Sequence, residues 1–208
     1  MTGRLLARVG RLAWGATLVA GAIGVLRQRS EAGRVLRGEL ASDGPDGARP
    51  PTQPHPPLAA LAALAAAWVP AAPRTLAGQL AATAWAAPLT TVGLGVALLS
   101  GARPRWDATR RCLVATGVGG PSGAALRLVG AGANTVGQVV LCRDAWPSDA
   151  LLDHEAVHVR QAERLGPLLV PAYLWWNALH GYRDNPLEHA ARRGARLTGP
   201  TSRGSEPE

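Results

Sequence analysis

Two histidines one helical turn apart place the hardest constraint on this chain. The run Leu151-Leu152-Asp153-His154-Glu155-Ala156-Val157-His158 contains the pattern H-E-x-x-H, in a segment whose apolar spacing predicts a helix. Residues four apart stack on one helix face, so His154 and His158 present both imidazoles to one point. Leu151, Gln161 and Leu165 recur on the same stripe, which predicts that it faces inward. Asp153, Arg160 and Arg164 fall on another side and are expected to be solvated. Burying a polar group without a partner costs roughly 2–7 kcal/mol, and a metal ion removes that cost here. Glu155 lies at the edge of the stripe, where a carboxylate reaches a metal-bound water without being a ligand. Because the motif is short, two solvated histidines on a surface helix stand as the competing reading.

A third ligand is expected later in the chain. Asn185 as N-cap and Pro186 at the first helical position mark a helix start, and Glu188 follows in its first turn, thirty residues after His158 (188 − 158). A catalytic zinc takes three protein ligands and keeps a fourth position for water; two histidines and a glutamate form one such set. Glu188 also lies three residues after Asn185, the place of a capping-box glutamate, so spacing leaves both roles open. Asp184 and His189 are the next candidates, as ligands or as groups that orient one. Gln161, a turn beyond His158, is expected to hydrogen-bond a ligand, meet a substrate, or satisfy backbone. Tyr182 and His180 are candidate donors to a developing oxyanion.

The rest of the chain supplies apolar helices and a small α+β region. Leu12 to Leu26 is an apolar run flanked by arginines, read as a membrane-associated helix in preference to a cleaved signal peptide. Asp43 to Pro57 is a Pro/Gly linker, and His55 within it is expected to be solvated. Leu58 to Ala72 is apolar and closes at prolines. Leu76 to Leu99 runs 24 residues without a charge, long enough to cross a hydrocarbon core of roughly 30 Å; a buried helix pair in a soluble bundle is the alternative. Arg103, Arg105, Arg110 and Arg111 follow it, which places the C-terminal part on the cytoplasmic side. All 22 basic residues are arginine. They are scattered without interleaved aromatics, which argues against a nucleic-acid partner.

After Arg111, Cys112 to Thr116, Ala125 to Val129 and Val136 to Cys142 read as strands. Ser148 caps the metal helix, and Gly166 with Pro167 ends it. The strand before that helix is expected to hold an extended substrate by main-chain hydrogen bonds. Cys112 and Cys142 are expected to be buried free thiols, pairing only if their strands bring them together. Leu168 to Leu179 reads as a helix whose Tyr173, Trp175 and Trp176 pack in the core, line a cleft, or rest at a membrane interface.

H-E-x-x-H on one helix with a glutamate from a later one resembles gluzincin-type zinc metallopeptidases. The run HEAVHVRQAERLGPLLVP from His154, followed by GYRDNPLEHAA from Gly181, is similar to small bacterial proteins that pair HExxHxxQ with a later N-P-x-E-x-x-A element. The likeness covers roughly Trp85 to Arg196. It implies His154, His158 and Glu188 as zinc ligands and Glu155 as general base, with no particular substrate. The expected organisation is an N-terminal apolar/basic helix (1–40), a linker (41–57), a transmembrane or hydrophobic helical region (58–100), a zincin-like α+β metal-binding domain (111–197) and a tail (198–208). The expected function is membrane-anchored, zinc-dependent peptide hydrolysis, with membrane lipid and a peptide or protein substrate as partners. A non-catalytic zinc domain, or a membrane protein with an incidental HExxH, are the alternatives.

Overall fold

The computed structural model describes residues 19, 21–26, 28–30 and 58–198. The linker, His55 and the tail lie outside the described residues, as does most of the first apolar run; its described part is helical. The architecture is α+β. In chain order it comprises α1 (Ala59–Ala67), α2 (Leu76–Leu99), β1 (Arg105–Asp107), β2 (Cys112–Ala115), α3 (Gly120–Leu128), β3 (Ala133–Val136), β4 (Val139–Cys142) and α4 (Asp149–Leu165). A 3-10 turn (Gly166–Leu168), α5 (Leu169–His180) and α6 (Pro186–Thr198) follow.

The four strands form one sheet in the order β1-β2-β4-β3. β4 is the strand with both faces covered, and its sequence VVLC has no polar position, as expected for such a strand. Val139 and Leu141 join Ala97, Ala102, Ala115 and Val118 on the α2 side. Val140 and Cys142 join Cys112, Ala133 and Val159 on the α4 side. The sheet is thus the layer between the long apolar helix and the histidine helix.

Three strand expectations need correction. Ala125 to Val129 is not a strand but part of α3 and its C-cap. β2 and β4 pair in parallel, and a parallel pair needs a crossover connection that a helix commonly fills. The Gly-Pro start and the AALRL run serve that helix. Val136 to Cys142 is not one strand either: Gly137, at φ +66°, turns the chain between β3 and β4. A Cβ there would lie 2.3 Å from the Thr90 backbone nitrogen, so the turn sits directly on α2. Finally, β4, the strand leading into the histidine helix, is interior; the edges are β1 and, on its own side, β3.

α4 is covered on more sides than its periodicity indicates. Asp153 and Arg160, expected on a solvated face, are buried, while Arg164 is exposed. The reason is the β1–β2 turn, which folds over the helix. Arg110 from that turn reaches Asp107 at 3.0 Å, Asp149 at 2.8 Å and Asp153 at 2.7 Å. Arg160 pairs with Glu163 at 2.6 Å and donates to the carbonyls of Arg110 and Arg111. Asp153, Arg160 and Glu163 are buried because they are mutually satisfied, whereas Asp149 stays exposed.

One described helix, α2, is long and apolar enough to cross a membrane, with mean hydropathy 1.5, and only 22% of its most apolar window is buried. A soluble core helix would be mostly buried. Its buried positions form a narrow stripe of small residues, Ala82, Ala86, Gly93 and Ala97, while Leu76, Leu80, Val92, Leu98 and Leu99 are exposed. Along the stripe the polar region rests on the middle of the helix. Trp85 Nε1 donates to the Arg164 carbonyl, and Thr90 Oγ1 accepts from the Gln138 amide. α1 packs on α6, and α6 on α4, with Gly194 allowing Val157 and Val69 to approach closely.

Cys112 and Cys142 are buried and unbridged. With Leu113 opposite Val139 and Ala115 opposite Leu141, the two lie four residues out of register, roughly 13 Å apart along the strands, too far for a disulfide. Burial pushes the Cys112 thiol up to about 11 and the Cys142 thiol up to about 12. Neither thiol is therefore expected to react with Ellman's reagent at pH 8 in the folded chain, and two per chain are expected after denaturation; rapid labelling of the native protein contradicts this packing. Replacing Arg110 with alanine leaves buried Asp153 without its cation and is expected to cost about 3–5 kcal/mol, read as a lower urea midpoint, with an unchanged midpoint as the contrary result.

Candidate metal centre

Local sequence positions each side chain. Ser148 caps α4, accepting from the Leu151 amide at 3.3 Å. Gly166 ends the helix at φ +53°, where a Cβ would meet the Trp85 ring at 2.6 Å. Asn185 Oδ1 accepts from the Leu187 amide, starting α6 at Pro186 and aiming Glu188 across at α4. The sequence reading left Glu188 between a capping box and a ligand. Its carboxylate goes to the histidines.

The two rings lie 5.0 Å apart between centroids, edge to face. His154 Nε2 is 3.2 Å from Glu188 Oε2, and His158 Nε2 is 3.2 Å from Glu188 Oε1. One donor atom from each of the three residues lies within 4.8 Å of the other two, the sole such group among the described residues. Two atoms bound to one tetrahedral zinc at about 2.0–2.1 Å sit roughly 3.4 Å apart. The two imidazole–carboxylate distances are of that size, while the three-residue set as a whole spans up to 4.8 Å.

The hydrogen bonds set the tautomer of one ring. His158 Nδ1 lies 2.8 Å from Gln161 Oε1, and Gln161 Nε2 donates to the Leu187 carbonyl at 3.3 Å. With its amide nitrogen so engaged, Gln161 offers its oxygen to the ring, which must donate from Nδ1. Nε2, the atom left to a neutral ring for binding a metal, is the one turned toward Glu188. Glu188 Oε2 is buried with no hydrogen bond directed at it, although His154 Nε2 stands 3.2 Å away. The His154 ring is thus its near neighbour without a well-aligned hydrogen bond, an arrangement a cation between ring and carboxylate would complete. The donor set, two imidazole nitrogens and one carboxylate, therefore fits zinc.

Electrostatics agree in direction. Burial alone would raise the Glu188 carboxyl, but the His158 and His154 imidazoles outweigh it and hold the carboxyl well below the usual carboxylate range. Burial would lower His158; the Glu188 and Glu155 carboxylates outweigh that and lift it to about 9. The point between α4 and α6 thus favours positive charge.

Glu155 is buried on the adjoining wall. Thr135 Oγ1, from edge strand β3, donates to Glu155 Oε2 at 2.6 Å, leaving Oε1 for other work. Tyr173, from α5, donates to Glu188 Oε1 at 2.6 Å. Glu155, His158, Tyr173, Tyr182 and Glu188 all line one cavity of about 460 Å³. Tyr182 is close enough that the Glu188 charge, followed by burial, raises its phenol well above the ordinary value.

The remaining expected residues divide. Gln161 holds a ligand in place, as one of its expected roles had it. His180 packs on the Trp176 ring, centroids 5.4 Å apart, and is not among the cavity-lining residues. Asp184 and His189 face each other at 3.9 Å and stay outside the three-residue group. Sequence reasoning missed Thr135 altogether and gave Tyr173 only a packing or cleft role. An N-terminal segment also reaches this region: Gly24 packs over Asn177 of α5, and Val25 and Gln28 line the cavity.

Replacing Gln161 with leucine leaves His158 Nδ1 and the Leu187 carbonyl unsatisfied, and is expected to cost about 1–3 kcal/mol. A lower melting temperature is the expected readout, and an unchanged one contradicts the network. No protein-family model matches the chain, and no curated protein or solved structure does.

Proposed function

We propose that this chain is a membrane-associated, zinc-dependent peptidase. The observation that supports it most is the meeting of His154, His158 and Glu188 at one buried point, with Glu155 on the wall of the adjoining cavity. Zinc bound there supplies Lewis acidity and lowers the pKa of a coordinated water.

The chain's own residues have distinct roles in this reading. Glu155 takes the proton of the attacking water through the oxygen that Thr135 leaves unbonded, and passes it to the leaving amine. Gln161 keeps the His158 ring in its ligating tautomer. Tyr173 restrains Glu188, and Tyr182 stands at the cavity side of that carboxylate, where a phenol can donate to a carbonyl oxygen as it gains charge. Edge strand β3, rather than β4, aligns the substrate by strand addition.

Membrane association draws on α2, whose exposed side carries Leu76, Leu80, Trp85, Val92, Leu98 and Leu99 and no charge. Lipid on that side removes a patch that water would disfavour. By the positive-inside rule, the arginines that follow α2 favour a cytoplasmic position for the chain beyond it.

A second reading is favoured by the complete burial of Gln161 and near-complete burial of Glu188: a metal that only fastens α4 to α6, with no chemistry. One pair of variants separates the two. The wild-type chain is expected to carry one zinc, His158→Ala to lose it, and Glu155→Gln to keep it while losing hydrolysis of a peptide library. Elemental analysis and mass spectrometry of the digests read both. Hydrolysis at the wild-type rate in Glu155→Gln removes the peptidase claim, and a wild-type chain purified without chelator that holds no zinc removes the metal.

A further inference from the structure

We infer that the cavity beside the metal cluster takes an apolar polypeptide segment, so that the substrates are hydrophobic stretches of membrane-associated proteins rather than hydrophilic peptides. The inference rests on the peptidase reading and names the substrate class of the same site.

The cavity is chemically divided. At about 460 Å³ it falls within the usual size of ligand sites. One end holds Glu155, His158 and Glu188. Most of the remaining wall is aliphatic, built by Leu89 and Val96 of α2, Leu126 of α3, Val129 just beyond it, and Val170 and Leu174 of α5. In a chain with 22 arginines, none lines it among the described residues, and Glu155 and Glu188 are its only acids. An anionic or strongly polar substrate finds no counter-charge in such a wall and loses its hydration on entry. An apolar side chain loses nothing, and gains roughly 1.5–3 kcal/mol when fully buried.

The second observation concerns the backbone that borders this wall. All four residues of β3 line the cavity, and β3 is a sheet edge. The Arg143 amide donates to the Gly132 carbonyl, which sets the phase of the antiparallel pairing between β3 and β4. Bonded pairs alternate along such a ladder. Asn134 and Val136 therefore bond toward β4, and the main-chain groups of Ala133 and Thr135 point away from it. An extended peptide satisfies those groups by adding a strand; an acyl chain has neither donor nor acceptor to offer. Thr135 is also the residue that holds Glu155, so a peptide on this edge passes the base.

The third observation is the route. Leu89 and Val96 of α2 face the cavity, while Val92 and Leu99 of the same helix are exposed. At roughly 100° per residue, Val92 and Leu99 lie only about 40–80° round the helix from Leu89 and Val96, so the exposed aliphatic surface and the cavity lining adjoin on one flank of α2. Trp85 and Thr90, which bond the Arg164 carbonyl and the Gln138 amide, lie in the middle of α2, so the cavity lies alongside that apolar helix and not beyond its end.

The test uses the full-length zinc-loaded Glu155→Gln chain in nanodiscs, which binds without turnover. The probes are a fluorescent Leu/Val/Ala decapeptide, a Ser/Thr/Gln decapeptide of equal length, and a fluorescent fatty acid. Ala125→Asp on α3 and Val170→Asp on α5 each place a charge at a cavity position that is not fully buried, so folding is expected to survive. The apolar peptide is expected to bind at least about tenfold tighter than the polar one, and each substitution to weaken it by about tenfold, with zinc content and circular dichroism unchanged. Equal affinity for the two peptides overturns the inference, and so does apolar binding that neither substitution weakens. A fatty acid that binds more tightly than either peptide and is displaced by both substitutions makes the cavity a lipid site, which also overturns it. Absence of zinc from the wild-type chain defeats the peptidase reading separately, because the preference between peptides is still measurable on the metal-free chain.

Discussion

The site depends on one buried carboxylate held between two imidazoles. Glu188 is 2% exposed, and a charge so placed costs several kcal/mol unless something compensates it. Tyr173 satisfies one oxygen. The other, 3.2 Å from His154 Nε2, has no hydrogen bond directed at it. Neutral histidines offer that oxygen little; the shift that lifts His158 to about 9 supplies one cation, and charging both rings would place two 5.0 Å apart between centroids. A divalent ion resolves both problems at once, and zinc in such a donor set contributes on the order of 10 kcal/mol in small domains. On the proposed reading, the packing of α4 on α6 is therefore coupled to metal binding.

Around this point the fold provides two kinds of support. Satisfied polar groups give rigidity: Gln161 bridges His158 to the α6 backbone, and Arg110 and Arg160 bind the β1–β2 turn to α4. Apolar packing gives placement, since β4 is sandwiched between α2 and α4 and carries the edge strand with it. Thr135 of that edge is what links the sheet to Glu155. The same α2 that packs on the sheet carries the exposed apolar surface, so that surface and part of the cavity wall belong to one helix.

Much of the site was legible because it is local. The i, i+4 spacing of His154 and His158, the Ser148 cap, the Gly166 stop and the Asn185-Pro186 start are each set by a few adjacent residues, and the structure has all of them. What lay hidden depends on distant partners. Asp153 and Arg160 read as solvated because nothing in α4 shows that Arg110 comes from 43 residues away to cover it. The segment after Gly120 read as a strand because its short apolar run carries no period; the parallel pairing of β2 with β4, a non-local fact, makes it a crossover helix. Thr135 had no signal beyond its place in a β-prone run. Its role exists only because β3 lies over α4.

The most direct test of the central claim is zinc K-edge absorption on the purified chain. Two imidazoles and one or two oxygens at about 2.0–2.1 Å are the expected shell, with the imidazole signal lost in His158→Ala. A shell made only of oxygens, or one containing sulfur from Cys112 or Cys142, contradicts the arrangement described for α4 and α6.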